Sequence, residues 1–471
     1  MNTYFFSFSK NKQLIEIELH ATDTTRIQDS FELPAWRPGR YQLQNFAKNI
    51  LNFSVKTTAG VDLDWSKTAR NTWKVFNPEL QDFVIRYSYY ANEFNAGGSY
   101  VSQNLKYFNP VNLTLFRKDE LEQAVKVYIN LDEGDLVACS MPYDIKGNEV
   151  ELEPRNLTEW FDSPIIISPD LIHEEFQAEN VPFHFWLYGN AGFFIPGLID
   201  DLQKIAEYQI RLFGEFPQKS YHFFLLVPEN TYYHGVEHAS NTVMVLGQDG
   251  ILPQTYYFDL LGLASHELFH AWNIARIRPA ELLPYDYTRE NYFSTCFVAE
   301  GFTTYYGDRI LLESGVIDYA QYLHELETTL KRHFDEADNA CQSLLESSFD
   351  LWVDGYEKGT PNKKVSVYNK GAVAAMILDI LIRRNTGDTK SLDDIMRQLW
   401  NRFGNEMKKG YTYSDIKIIS EEVFGSSLEH YFKTVVESAE PIFDLTNDYL
   451  AYWSLKMEYI PETSAIRLVQ I

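Results

Sequence analysis

His266 and His270 stand four residues apart with Glu267 beside the first, in the run Ser265-His266-Glu267-Leu268-Phe269-His270-Ala271-Trp272-Asn273. Leu260, Leu261, Leu263 and Ala264 just upstream predict a helix. On a helix that spacing is a little over one turn, so both imidazoles project from one face. Two imidazoles so placed can hold one zinc ion, and the neighbouring carboxylate can act on a water beside it as general base. A catalytic zinc needs a third protein ligand and an open position. The next suitable carboxylate is Glu300, in Val298-Ala299-Glu300-Gly301-Phe302-Thr303. The 29 residues between His270 and Glu300 are enough to leave the first helix, cross a loop with Pro279 and Pro284, and return antiparallel. Alone, Glu300 reads equally well as a solvated carboxylate at a helix start. Beside the histidine pair it reads as the third ligand.

Given that triad, Glu267 would take a proton from water and pass it to a leaving amine. The developing oxyanion needs a further donor. Tyr368, in Val367-Tyr368-Asn369-Lys370-Gly371 before an apolar helix from Ala372 to Ile382, is the candidate. It is one of 31 tyrosines, and spacing alone fits a packing role as well. Upstream lies Tyr232-Tyr233-His234-Gly235-Val236-Glu237-His238-Ala239-Ser240. A carboxylate at the edge of a cleft can pair with a free α-ammonium, and Glu237 is the candidate. Gly235 would let the backbone approach a substrate chain, with Val236 grouped among the same substrate contacts. The competing reading of this stretch is a polar turn after a strand. His234 and His238 receive no ligand role.

The elements that must position these residues fall into an α+β multidomain order. Residues 1–170 read as an antiparallel, sandwich-like β domain. Ile15, Ile17 and Leu19 alternate with Glu16 and Glu18; Phe83, Ile85, Tyr87 and Tyr89 alternate likewise, as do Val125, Val127, Ile129 and Leu131. Loops are marked by Trp36-Arg37-Pro38-Gly39, Asn95-Ala96-Gly97-Gly98 and Lys146-Gly147-Asn148. A catalytic unit is expected over 171–455, with a β lobe over about 171–254 and a helical lobe over about 255–455. In the β lobe Phe183–Leu187 and Tyr221–Val227 read as strands, and Leu198, Leu202, Ile205 and Leu212 space out a helix ended by Gly214. Helices are predicted at about 298–313, 318–336, 370–385, 391–403, 413–423 and 427–437. Residues 456–471 read as a short tail with strand-like alternation.

Composition narrows the partners. The 471 residues carry 41 basic and 66 acidic side chains, a net charge of -25, which argues against nucleic acid and anionic membranes as partners. The three cysteines, Cys139, Cys296 and Cys341, are far apart and form neither a disulfide framework nor a structural zinc site. No stretch reaches transmembrane length and the first residues lack a leader pattern. The chain is therefore expected to be cytoplasmic by default, or periplasmic or secreted where a leader has been removed. The oligomeric state is not legible.

At these residues the sequence resembles the glycyl aminopeptidase family, gluzincins with an N-terminal β domain, a thermolysin-like catalytic domain and usually a C-terminal PDZ domain. The resemblance rests on Leu33-Pro34-Ala35-Trp36-Arg37-Pro38-Gly39-Arg40-Tyr41, on Asp162-Ser163-Pro164, and on Phe213-Gly214-Glu215-Phe216-Pro217. It continues through His234 to His238, His266 to Asn273, Arg276-Ile277-Arg278-Pro279 and Glu300-Gly301-Phe302-Thr303. The resemblance implies zinc held by His266, His270 and Glu300, with Glu267 as base, Tyr368 on the transition state and Glu237 on the substrate's amino group. It implies an aminopeptidase acting on peptides with a free N-terminus and preferring small first residues, Gly or Ala. The alternatives are a zinc endopeptidase of broader specificity and a non-catalytic peptide-binding relative. Two departures stand out: the PDZ domain is expected to be absent, and His234 stands where the family has Gly. An imidazole there is expected to narrow the pocket for the first residue.

Overall fold

In the computed structural model the described residues are 2–22, 25–190, 195–247, 249–335, 340–357, 359–460 and 465–471. The N-terminal part is built of sheets packed face to face. A seven-stranded sheet runs in the order Tyr143–Lys146, Glu149–Leu152, Lys126–Asn130, Thr3–Ser9, Leu14–Ala21, Phe83–Tyr90, Ile50–Thr57. All its pairs are antiparallel except Thr3–Ser9 with Lys126–Asn130, which is parallel. The alternation predicted for Leu14–Ala21 is realised: Ile15, Ile17 and Leu19 are buried while Glu16 and Glu18 lie toward the other face. A three-stranded sheet (Gln28–Glu32, Thr72–Phe76, Trp65–Ala69) and a four-stranded one (Leu136–Ala138, Ile165–Ser168, Lys106–Phe108, Ser99–Val101) complete this part. Tyr4, Ile17, Phe31, Trp73, Phe108, Val127 and Ile165 share one apolar core drawn from all three sheets.

After Ser168 the chain leaves these sheets and enters a five-stranded mixed sheet. Its order is Ile172–Ala178, Val181–Tyr188, Tyr221–Leu226, Asn241–Gly247, Tyr232–Glu237. The helix Ile195–Phe213 buries Leu198, Leu202 and Ile205 against it and ends at Gly214, whose φ of +89° is the left-handed conformation of a helix stop. Residues 232–237, readable as a polar turn, are instead the edge strand, paired antiparallel with Asn241–Gly247. The polar sequence of that edge hid its strand character, and its burial does not alternate.

The helical lobe follows. The helix Pro253–Phe269 carries the histidine motif and packs on Thr303–Glu313 and Ile195–Phe213, while Tyr319–Phe334, Asn369–Thr386 and Tyr413–Phe424 build the lobe behind Thr303–Glu313. The predicted helices over 391–403 and 427–437 each close in a π turn, Trp400–Gly404 and Phe432–Val436. Leu344–Phe349, Leu351–Asp354 and Phe443–Leu450 are additional helices whose short apolar spacing gave no periodic signal. The closing segment forms a hairpin of Leu455–Ile460 with Ala465–Gln470. Leu455, Met457 and Ile466 enter the main apolar core, and the Leu468 N–H donates to Glu327 Oε2 at 2.9 Å. That segment is a part of the lobe and not a tail. Among the described residues no helix is long and apolar enough to cross a membrane.

Candidate metal centre

The helix Pro253–Phe269, here called the motif helix, is buried along Leu260, Leu261, Ala264 and Leu268. That burial fixes its rotation and turns His266 and His270 toward the helix that follows. Their Nε2 atoms lie 3.1 Å apart. Glu300 Oε2 lies 3.4 Å from His270 Nε2 and 3.8 Å from His266 Nε2. Two ligands of a tetrahedral zinc, each at about 2.0–2.1 Å, stand roughly 3.3 Å apart. The three donor atoms therefore converge at the separation a zinc ion requires.

The surroundings orient each donor. His270 Nδ1 is 2.9 Å from the Asn273 carbonyl, so the ring donates there, and in its neutral form Nε2 keeps the lone pair that a metal needs. The Asn273 amide in turn donates to the Val298 carbonyl at 2.8 Å and to Thr303 Oγ1 at 3.0 Å, tying the end of the motif helix to the turn that carries Glu300. That turn is a π-helical segment, Phe297–Phe302, continuous with Thr303–Glu313. Ile274, directly after Asn273, has a φ of +88°, a strained conformation for a β-branched residue. The Glu300 Oε1 atom accepts a 2.8 Å hydrogen bond from the hydroxyl of Tyr41, which comes from the N-terminal domain.

The electrostatics favour a cation. Burial alone would depress His270, yet Glu300, with Glu237 and Glu267 behind it, raises it to about 10. Burial would raise Glu300, but His270 and His266 together hold it well below the usual carboxylate range. Burial pushes Glu267 well up, with Glu237 and Glu300 adding to the effect and His270 opposing it. Three carboxylates thus gather around two imidazoles in a largely buried site. Glu267 Oε2 is buried and has no hydrogen-bond partner among the described residues.

Glu237 ends the edge strand, and its carboxylate lies within 4.8 Å of those of Glu267 and of the His270 ring nitrogen. Burial raises it, while His270 and the buried Arg37 draw it back. The N-terminal domain closes over it. Gly39 has a φ of +79°, and any Cβ there would overlap the Glu237 carboxylate. Just beyond, Asp162 accepts from the Ala239 N–H at 2.9 Å and lies 2.8 Å from His238 Nδ1, clamping the end of the strand.

Gly235 is set against the base. A Cβ there would overlap Glu267 Oε1 and fall 2.6 Å from Cδ, so the glycine leaves room for Glu267. By strand alternation Gly235 and Glu237 share the face toward the motif helix, and His234 and Val236 share the other. The Val236 side chain packs with Phe224, Val243 and Val245, which leaves only its backbone at the edge. His234 lies on that far face too, held near 3 by burial and by Arg37 and Arg40.

Tyr368 precedes the helix Asn369–Thr386 and packs with Tyr41, Ala299, Trp352 and Val367. Burial and then Glu300 push its hydroxyl well up, so it stays a proton donor. Its position depends on two glycines. A Cβ on Gly301 would lie 2.6 Å from the Gly371 carbonyl carbon and 2.7 Å from the Val367 oxygen. The two helices cross backbone to backbone, and this brings Tyr368 beside Glu300. Sequence reasoning missed Tyr41, Arg37, Asp162 and the glycine crossing, although all but Gly371 lie in a stretch that carried the resemblance.

Residues 3–169 match the Peptidase M61 N-terminal domain and residues 259–374 match the M61 glycyl aminopeptidase family. No curated protein matches the chain. A crystal structure of an aminopeptidase N family protein from Idiomarina loihiensis shares 27% identity, covers 98% of this chain and 79% of its own, and superposes with a TM-score of 0.90. An M1 zinc metallopeptidase from Deinococcus radiodurans shares 12% identity over 93% of each chain with a TM-score of 0.57, a likeness of fold. A mutant of that protein bound to a Tyr-Ser-Ala substrate gives 13%, 93% of each chain and 0.54. The chain is a metallopeptidase, and it belongs to the M61 glycyl aminopeptidase family.

Proposed function

We propose that this protein is a zinc aminopeptidase that removes the first residue of peptides, with small residues, Gly or Ala, preferred. The observation that carries this reading is the clustering of Glu237, Glu267 and His270, with Gly39 against the far side of Glu237. A peptide's amino nitrogen is separated from the carbonyl carbon of the same residue by only two bonds, about 2.5 Å. An ammonium paired with Glu237 therefore presents the first peptide bond, and no later one, to Glu267.

His266, His270 and Glu300 would hold the zinc ion, which supplies Lewis-acid polarisation of a carbonyl and a more acidic water. Glu267, with its Oε2 free, accepts the water's proton and delivers it to the departing amine. Tyr368 keeps its proton and offers it as a hydrogen bond to the oxyanion. Among the described residues the edge strand has a partner strand on one side only, so an extended peptide can add antiparallel along its outer edge, its N-terminus at the Glu237 end. The preference for small first residues rests on the glycyl aminopeptidase family match.

A cleft of about 1930 Å³ reaches Glu237 and His238 from the side of the N-terminal domain, and this favours a second reading, an endopeptidase that admits chain beyond the amine anchor. Initial rates on Gly-, Ala-, Leu- and Arg-amides and on one N-acetylated peptide separate the two. The aminopeptidase cleaves Gly and Ala amides fastest and loses the acetylated peptide; cleavage of the acetylated peptide at an undiminished rate establishes the endopeptidase.

A further inference from the structure

The N-terminal β domain reaches the metal centre through one side chain. Tyr41 lies in the loop between the strand Gln28–Glu32 and the strand Ile50–Thr57, more than 250 residues before the ligand it touches. It is 2% exposed, and its ring packs between Phe293 at 5.3 Å and Trp352 at 6.2 Å between centroids. Its backbone N–H donates to the hydroxyl of Tyr356 at 3.3 Å, and Trp36 of the same loop donates its indole N–H to the Asp286 carbonyl at 2.7 Å. The loop is thus anchored at several points on the catalytic domain, and the Tyr41 hydroxyl donates to Glu300 Oε1 at 2.8 Å with the Cys296 thiol also in hydrogen-bonding reach.

We infer that Tyr41 is a positioning residue of the metal centre, which fixes the Glu300 carboxylate so that Oε2 faces His266 and His270. The two oxygens of Glu300 have divided roles: Oε1 is taken by Tyr41, and Oε2 lies 3.4 and 3.8 Å from the two imidazoles. Without the hydroxyl, a buried Oε1 would lose its donor and the carboxylate would be free to rotate about its last torsion. Hydrogen bonds of this kind behind a metal ligand are worth roughly 10–100-fold in metal affinity. Because the donor belongs to the N-terminal domain, metal binding and the seating of that domain's loop must favour each other reciprocally. The inference rests on zinc binding at the triad and is independent of which peptide bond is cut.

Zinc affinity measured by chelator competition on the full chain tests it, since the measurement needs no turnover. Tyr41→Phe keeps the ring and removes the hydroxyl. It is expected to weaken zinc binding roughly 10–100-fold while the thermal midpoint of the zinc-free protein changes little. Phe293→Leu loosens the packing around the ring and keeps the hydroxyl, and should leave zinc affinity within a few-fold of the parent. An unchanged zinc affinity in Tyr41→Phe overturns the inference. So does an equal loss of affinity in Phe293→Leu, which would make the contact one of packing alone. Failure of the aminopeptidase reading, with zinc still bound, would leave both measurements intact.

Discussion

The α-carbon of Gly235 faces the carboxylate of Glu267 so closely that a methyl group at 235 would occupy the space of Glu267 Oε1 and lie 2.8 Å from Leu263 Cδ1. The base is held against a strand edge that has no side chain to spare. Gly235→Ala is expected to displace Glu267 by a fraction of an ångström to an ångström, and such a misplacement costs on the order of 10²-fold in rate. Turnover measured beside zinc content checks this: kcat falls while one zinc per chain is retained. A variant with parental kcat would show that Glu267 can move without penalty.

The crossing of Gly301 and Gly371 makes a second expectation. Here the clash is with backbone, which cannot swing away, so Gly301→Ala forces the two helices apart. Overpacking of this sort costs about 1–3 kcal/mol. Denaturant unfolding of the zinc-free protein should show that loss, and Tyr368-dependent turnover should fall with it.

Acid sensitivity follows from buried histidines outside the metal centre. Burial holds His222 and His333 near 3, with His184 and His173 adding to the effect at His222 and Lys370 at His333. In the unfolded chain both return to about 6.5. Between those values the unfolded state binds protons that the folded state refuses, so stability rises with pH and is lost as pH falls from 6.5 toward 3. Each histidine contributes a slope of up to about 1.4 kcal/mol per pH unit in that window. Replacing His333 by Phe should remove one such contribution; urea unfolding of both proteins between pH 4 and 7 measures it, and parallel curves would refute the assignment.

His234 lies on the face of the edge strand away from Glu267, beside Arg37 and Arg40. His234→Gly should therefore leave the ranking of Gly, Ala, Leu and Arg amides unchanged. A shift toward larger first residues would show that the imidazole does border the pocket.

How much of this was legible in the sequence depends on the range of each interaction. The histidine pair, Glu267 and the β alternation of Leu14–Ala21 are local, set by periods of four and two, and they read directly. Glu300 needed the pair as context, because a carboxylate at a helix start has several uses. The edge strand 232–237 was hidden because its residues are polar and its burial, set by contacts distant in sequence, does not alternate. Tyr41 and the glycine crossing are contacts over 259 and 70 residues of chain, and no local pattern encodes them. The strand character of the closing segment was legible, but its packing into the lobe was not, because its burial comes from helices that precede it.

The most direct measurement is the cleavage position in an unblocked ten-residue peptide beginning with Gly, followed over time by mass spectrometry with zinc-loaded protein and with Glu267→Gln. The account predicts a product shorter by one residue at the N-terminus and no internal fragment at early times. It also predicts that the variant is slowed about 10²–10⁴-fold, the usual contribution of a general base. Internal fragments appearing first, or a Glu267→Gln protein as fast as its parent, would contradict it.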